Sequence, residues 1–197
     1  MSFAARPFLV FLLVSSALYL WSTTTMSAPD SASAPPSALP PLEVRVKTAS
    51  IIPPPPSTPP ITAVAVQVSV HNKADTPVTL LNWGSPLDPM AKALGVFEIR
   101  DADTNEPVAL NTIKVGRKLP PSREDFVEIP AGGALDADVT IPMVPLVEGR
   151  RYMIQAKGWW QAVWETGFAN VASEDLEKMT NALRGEVESE PVPVQVA

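Results

Sequence analysis

The sequence predicts an all-β antiparallel sandwich, and three observations carry that prediction. Segments with an apolar residue at every second position recur at intervals of about 8–15 residues. Clusters of Gly, Pro, Asn and Asp separate them, and these residues favour turns. Hydrophobic residues make up 46% of the 197, enough to close a core. The length fits one domain with appendages.

Taken in order, residues 7–21 (PFLVFLLVSSALYLW) form an apolar run behind Arg6. Fifteen residues are few for a membrane-spanning helix, which needs about 20, and they suit the hydrophobic region of a signal peptide. Residues 1–28 therefore read as a signal peptide or a signal anchor built on a hydrophobic helix. A cut after Ala28 would place Pro29 behind it, where its ring hinders processing, so both fates stay open. In either case no Lys or Arg follows Arg6 until Arg45, which keeps the N-terminus cytosolic and sends the rest outward. The protein is thus expected to be secreted, or held by residues 7–21 alone with its domain on the lumenal or extracellular side. Residues 29–41, rich in Pro, Ser and Ala, read as an extended tether.

The domain is expected over residues 42–197. Leu42, Val44 and Val46 alternate with charged residues. The proline-rich insert at 53–60 favours polyproline II and reads as a stiff connection between two strands. Val64, Val66, Val68 and Val70 share one face of the next strand. Further strands are expected at 78–82, 96–100, 112–115, 125–129, 136–141, 151–156 and 192–196. Asp101 to Pro107 reads as a turn. Gly132-Gly133 reads as a hairpin connection between the strands on either side. One short helix is predicted at about 174–184. Ser173 would cap it, Glu174 and Asp175 would sit at its positive end, and Gly185 would stop it. Its apolar stripe, Leu176, Met179, Ala182 and Leu183, would pack on the sandwich.

Composition excludes several kinds of chemistry. With no cysteine there is no disulfide, no thiolate nucleophile and no Cys-based metal site. One histidine cannot build a two-His metal site. A net charge of −6 and a pI near 4.8 argue against nucleic acid as a partner. No metal or other cofactor is expected.

The stretch VAVQVSVHNKADTPVTLLNWGSPLD (Val64 to Asp88) resembles the N-terminal module of deuterolysin-type fungal metalloproteases. The matching features are a strand ending at Asn72, a polar turn from Lys73 to Pro77, the strand Leu80-Leu81-Asn82, and the loop Gly84-Ser85-Pro86-Leu87. Phe97 to Ile99, Ile113 to Val115 and Glu124 to Gly132 follow in the same order. The resemblance spans roughly residues 42–157 and, more weakly, the final strand. It implies an immunoglobulin-like β-sandwich of the proregion type and a fungal source. The catalytic domain and its His-Glu-x-x-His zinc site lie beyond this module in such proteases, and this chain has no such motif. No catalytic residue is carried over. The resemblance implies a non-catalytic protein whose partner is another protein, such as a related metalloprotease that it helps fold or restrains.

The side chains that could carry chemistry are few. Trp159, Trp160 and Trp164 form the most suggestive cluster, because exposed Trp rings can stack on sugars or anchor a protein partner. Adjacent Trp159 and Trp160 must point to opposite faces of a regular strand. A carbohydrate- or wall-binding module using these rings is therefore the alternative reading. His71 lacks the positioned serine and acid that a Ser-His-Asp site requires. Asp101, Asp103 and Asn105 have the opening spacing of a calcium loop, but the residues that should complete it are absent, and an Asx-rich turn explains them. Asp136 and Asp138 share one face of a strand and read as solvated. Arg117, Lys118 and Arg123 read as a solvated basic loop.

Overall fold

A computed structural model describes residues 38–53 and 62–196. The hydrophobic run at 7–21, the tether up to residue 37 and the proline cluster at 54–60 lie outside the described residues. The described chain forms two β-sheets packed face to face. The first has the order β10 (Gln195–Val196), β1 (Leu42–Ile52), β2 (Thr62–Asn72), β6 (Ala134–Val144). The second is centred on the 13-residue β7 (Tyr152–Trp164). Around it lie β3 (Val78–Leu81), β4 (Phe97–Asp101), β5 (Phe126–Ile129), β8 (Leu183–Glu188) and β9 (Val192–Pro193).

Register shows how the second sheet is built. Val163 pairs with Leu80 on one edge and Leu183 on the other; Ile154 lies between Ile99 and Val192 in the same way. The strands β3 and β4 are therefore two halves of one strand beside β7, split by an excursion over residues 82–96. On the other edge β8 and β9 are likewise two halves of one strand, and β5 extends the sheet beyond β3. This is an immunoglobulin-like arrangement, with β1, β2 and β6 as strands A, B and E facing C, F and G. Tyr152 supports it. Near the start of β7, its hydroxyl accepts a hydrogen bond from the Val147 amide at 2.8 Å, the tyrosine corner of such folds.

The two-residue period is obeyed inside the sandwich. Val64, Val66, Val68 and Val70 are fully buried against Leu80, Ile99, Ile154 and Trp160. In β1 the inward residues are Val44, Val46 and then Ala49, because a β-bulge at Lys47 resets the alternation. A second irregularity, between Trp160 and Val163, turns Val163 toward the main core and leaves Trp164 on the outer face.

That outer face carries a second, smaller core. Leu81, Trp83, Phe126, Ala162 and Trp164 are covered there by Phe168, Val171, Leu176, Met179 and Ala182. The helix is α1 (Ser173–Lys178), shorter than the predicted 174–184. Met179 adopts φ 53° and ends it, and Asn181 follows at φ 50°. Arg184 and Gly185, expected as the helix end, instead lie in β8. Edge pairing with β7 overrides the apolar spacing there.

Two further expectations are corrected. Gly132-Gly133 is not a hairpin, because β5 pairs with β3 in one sheet and β6 with β2 in the other. The turn carries the chain across the sandwich. Gly132, at φ 63°, donates its amide to Ala74, and Asn72 ties the crossing down. Residues 112–115 are not a strand. The outer edge of β4 is already taken by Pro107 and Val108, and Ile113 meets only the Ala93 carbonyl of a 3-10 turn. Ile113 remains 52% exposed.

Candidate functional site

The three tryptophans do not form one surface. Trp160 points inward, 2% exposed, in the main core. Trp164 is 6% exposed in the second core, its ring centroid 5.9 Å from that of Phe126, with its indole N–H donated to the Thr180 carbonyl at 3.1 Å. Trp159 alone is open to solvent, at 44%. Alternation along β7 explains the split between Trp159 and Trp160, and the irregularity after Trp160 explains Trp164.

Trp159 stands on the outer face of the second sheet, paired with Glu186 of β8. The outward residues preceding it on β7 are Gln155 and Lys157. The Lys157 ammonium lies 2.8 Å from Glu98 and 3.5 Å from Glu188, linking three strands. The lysine beside Glu98 holds that carboxyl below its usual value, and Glu98 raises Lys157 in turn. The exposed Trp159 ring thus stands two residues along β7 from this ion-pair network.

In the basic segment Lys118 and Arg123 are exposed as expected, and Arg117 is not. Arg117 reaches into the excursion and pairs with Asp88, whose side chain is fully buried. It also lies over the Trp83 ring, 5.5 Å from the centroid. Asp88 accepts the amides of Gly84 and Met90, each at 2.8 Å, so its charge organises the turn from both ends. Arg123 sits 3.8 Å over the Phe168 ring and donates to the Phe126 carbonyl. Both arginines close the rim of the second core. Sequence reasoning missed Asp88; a lone Asp four residues after Gly84 was its only signal.

The Asp101 turn uses its own oxygens. Asp101 Oδ1 accepts the amides of Asp103 and Thr104, and Oδ2 meets Arg150 at 3.0 Å. Those backbone N–H groups, with the Arg150 charge, hold Asp101 below the usual Asp value. Asp103 pairs with Arg151. Among the described residues no cluster of His, Cys, Asp or Glu is arranged to hold a metal ion. His71 lies between Glu43 and Ala134 on the outer face of the first sheet. Asp136, nearby, is bound by Lys47 at 2.7 Å and is lowered mainly by that contact. No helix of the described residues is long and apolar enough to cross a membrane.

A family model for the immunoglobulin-like domain matches residues 52–196. The chain belongs to this family. An "Uncharacterized secreted protein" of Arthroderma benhamiae is 39% identical over 133 residues, spanning 66% of this chain and 67% of that protein. The Northeast Structural Genomics Consortium target SoR45, solved by X-ray crystallography, aligns over 81% of this chain and 90% of its own. Its identity is 14% and its TM-score 0.40. The immunoglobulin-like domain thus rests on the family match, the sheet order and the Tyr152 corner.

Proposed function

We propose that this immunoglobulin-like domain is a secreted, non-catalytic binding module that engages a protein partner through the outer face of β7. The observation that carries this reading is Trp159, a large aromatic half open to solvent beside the Glu98–Lys157–Glu188 network. An exposed Trp is a favoured anchor at protein interfaces. The secretory assignment is supported by the apolar run at 7–21 behind Arg6 and by the printed name of the Arthroderma relative. On its resemblance to the deuterolysin-type module, the partner is a secreted metalloprotease that the domain covers or restrains. The carbohydrate reading retains only one ring, since Trp160 and Trp164 are buried.

The test uses the full chain with a C-terminal tag, secreted from its expression host, beside Trp159→Ala. Loss of an anchoring Trp should weaken capture of the partner by about 2 kcal/mol, roughly thirtyfold. Stability should change by no more than about 0.5 kcal/mol, as for most surface substitutions. Unchanged capture by Trp159→Ala would remove Trp159 from the interface. Retention on wall polysaccharide that Trp159→Ala abolishes would move the assignment to carbohydrate.

A further inference from the structure

The outermost strand of the first sheet is long, and the 3-10 turn Ala91–Ala93 packs against it. Strand β6 runs 11 residues and pairs with β2 on one edge. In an immunoglobulin sandwich with the sheet order A, B, E, D, strand D covers the far edge of E. Here the chain passes from β5 directly to β6. Among the described residues no strand or loop backbone bonds to the far edge over 134–141.

Register identifies the groups on that edge. The Asn72 amide donates to the Gly133 carbonyl at 2.9 Å, so this rung is a hydrogen-bonded pair. Counting down the ladder, Val70–Leu135, Val68–Ala137, Val66–Val139 and Val64–Ile141 are the next such pairs. The N–H and C=O groups of Ala134, Asp136, Asp138 and Thr140 therefore point away from the sheet. Their side chains lie on its outer face and are exposed, whereas inward-facing Leu135, Ala137 and Val139 are only half-buried at the margin of the core. Beyond them, Met143 at φ 54° makes the bulge that ends regular pairing.

We propose that this edge is a docking site for an extended segment of another protein, added as a further antiparallel strand, with Lys or Arg and apolar residues in alternation. Backbone groups of residues 134–140 would supply the ladder. The apolar positions would finish covering Leu135, Ala137 and Val139. The basic positions would meet Asp138, which has no ion pair among the described residues, and beside it Asp136, whose carboxylate is already paired with Lys47. The same acids argue against a second copy of this chain. Two β6 edges paired about Ala137 would set Asp136 of each opposite Asp138 of the other, and like charges facing across a ladder are destabilising. The site lies in the sheet opposite Trp159 and does not rest on the role given to Trp159.

The probe is a fluorescently labelled nonapeptide alternating lysine and valine, with a glutamate–valine peptide as its counterpart. Binding to the full secreted chain is read by anisotropy. The lysine peptide should bind and the glutamate peptide should bind at least about tenfold more weakly. Thr140→Pro removes an outward N–H without touching the β2 ladder, and should abolish binding while thermal unfolding stays cooperative. Asp138→Lys should shift the preference toward the glutamate peptide by about tenfold, and Trp159→Ala should change nothing. Should Thr140→Pro fail to fold, the Asp138→Lys preference still decides. Equal binding of both peptides, no binding of either, a preference unmoved by Asp138→Lys, or self-association through β6 in sedimentation would each overturn the proposal.

Discussion

At the residue scale, Asn72 ties the end of β2 in the first sheet to the end of β5 in the second. Its Nδ2 is shared among the carbonyls of Thr76, Pro130 and Ile129 at 2.7, 3.1 and 3.2 Å, and its Oδ1 accepts the Ala74 amide at 3.0 Å. The side chain is fully buried at the end of β2. It satisfies backbone groups that the polar turn and the Pro130 crossing would otherwise leave without partners. Replacing it with Ala strands those groups in a dry site. Asn72→Ala should cost about 2–3 kcal/mol in urea unfolding with an unchanged m-value. A cost below about 0.5 kcal/mol would show that water takes over those bonds. The strand-ending Asn was visible in the sequence as part of a resemblance, but its work was not. Its partners lie up to 58 positions away, and no local pattern reports them.

At the scale of elements, legibility followed the source of each signal. Strand β2 and the first part of β7, expected at 151–156, could be read because one face of each is buried there and the two-residue period writes that into the sequence. The division of one strand into β3 and β4 could not, because it depends on a backbone crossing. A Cβ built on Gly158 would lie 2.7 Å from the Gly84 carbonyl oxygen and 3.2 Å from Val187 Cγ1. Gly158 is therefore where the excursion passes against β7. Gly158→Ala should destabilise by about 1–3 kcal/mol, since one contact is rigid backbone. Gly116→Ala, with nothing within 4 Å of its added Cβ, should be neutral or slightly stabilising. Equal effects of the two substitutions, measured by thermal unfolding, would contradict the crossing. The tryptophans teach the same lesson. Alternation foretold that Trp159 and Trp160 would face apart, but the irregularity that buries Trp164 is set by pairing with β8, whose first residues, Leu183 and Arg184, read as the end of a helix.

At the scale of the whole molecule, the shifted carboxylates all move one way. Glu43, Glu98, Asp101, Asp125 and Asp136 are each held below their ordinary values. For Asp125, burial opposes ionisation, yet hydrogen bonds from Ser122 Oγ, Trp83 Nε1 and the Ser122 amide outweigh it. A carboxyl whose pKa is lower folded than unfolded contributes stability that is fully present above the unfolded value. That contribution is lost as pH falls through the folded one. Reference values of 3.8 for Asp and 4.5 for Glu set the upper end of the window. Lys157 and Arg150 are raised, Lys157 by Glu98 and Arg150 by Asp101, so their contributions stay intact until pH climbs past the ordinary lysine range. The chain has one histidine and no cysteine. Tm should therefore be nearly flat from about pH 5 to 9 and fall steeply below about pH 4. Asp101→Asn keeps an acceptor for the Asp103 and Thr104 amides but loses the charge facing Arg150. It should lower Tm at pH 7 and flatten the acid slope, so that the two curves converge as pH falls through the Asp range. Parallel curves would mean that Asp101 has the same pKa in the folded and unfolded chains, and that the acid sensitivity arises at the other four carboxylates.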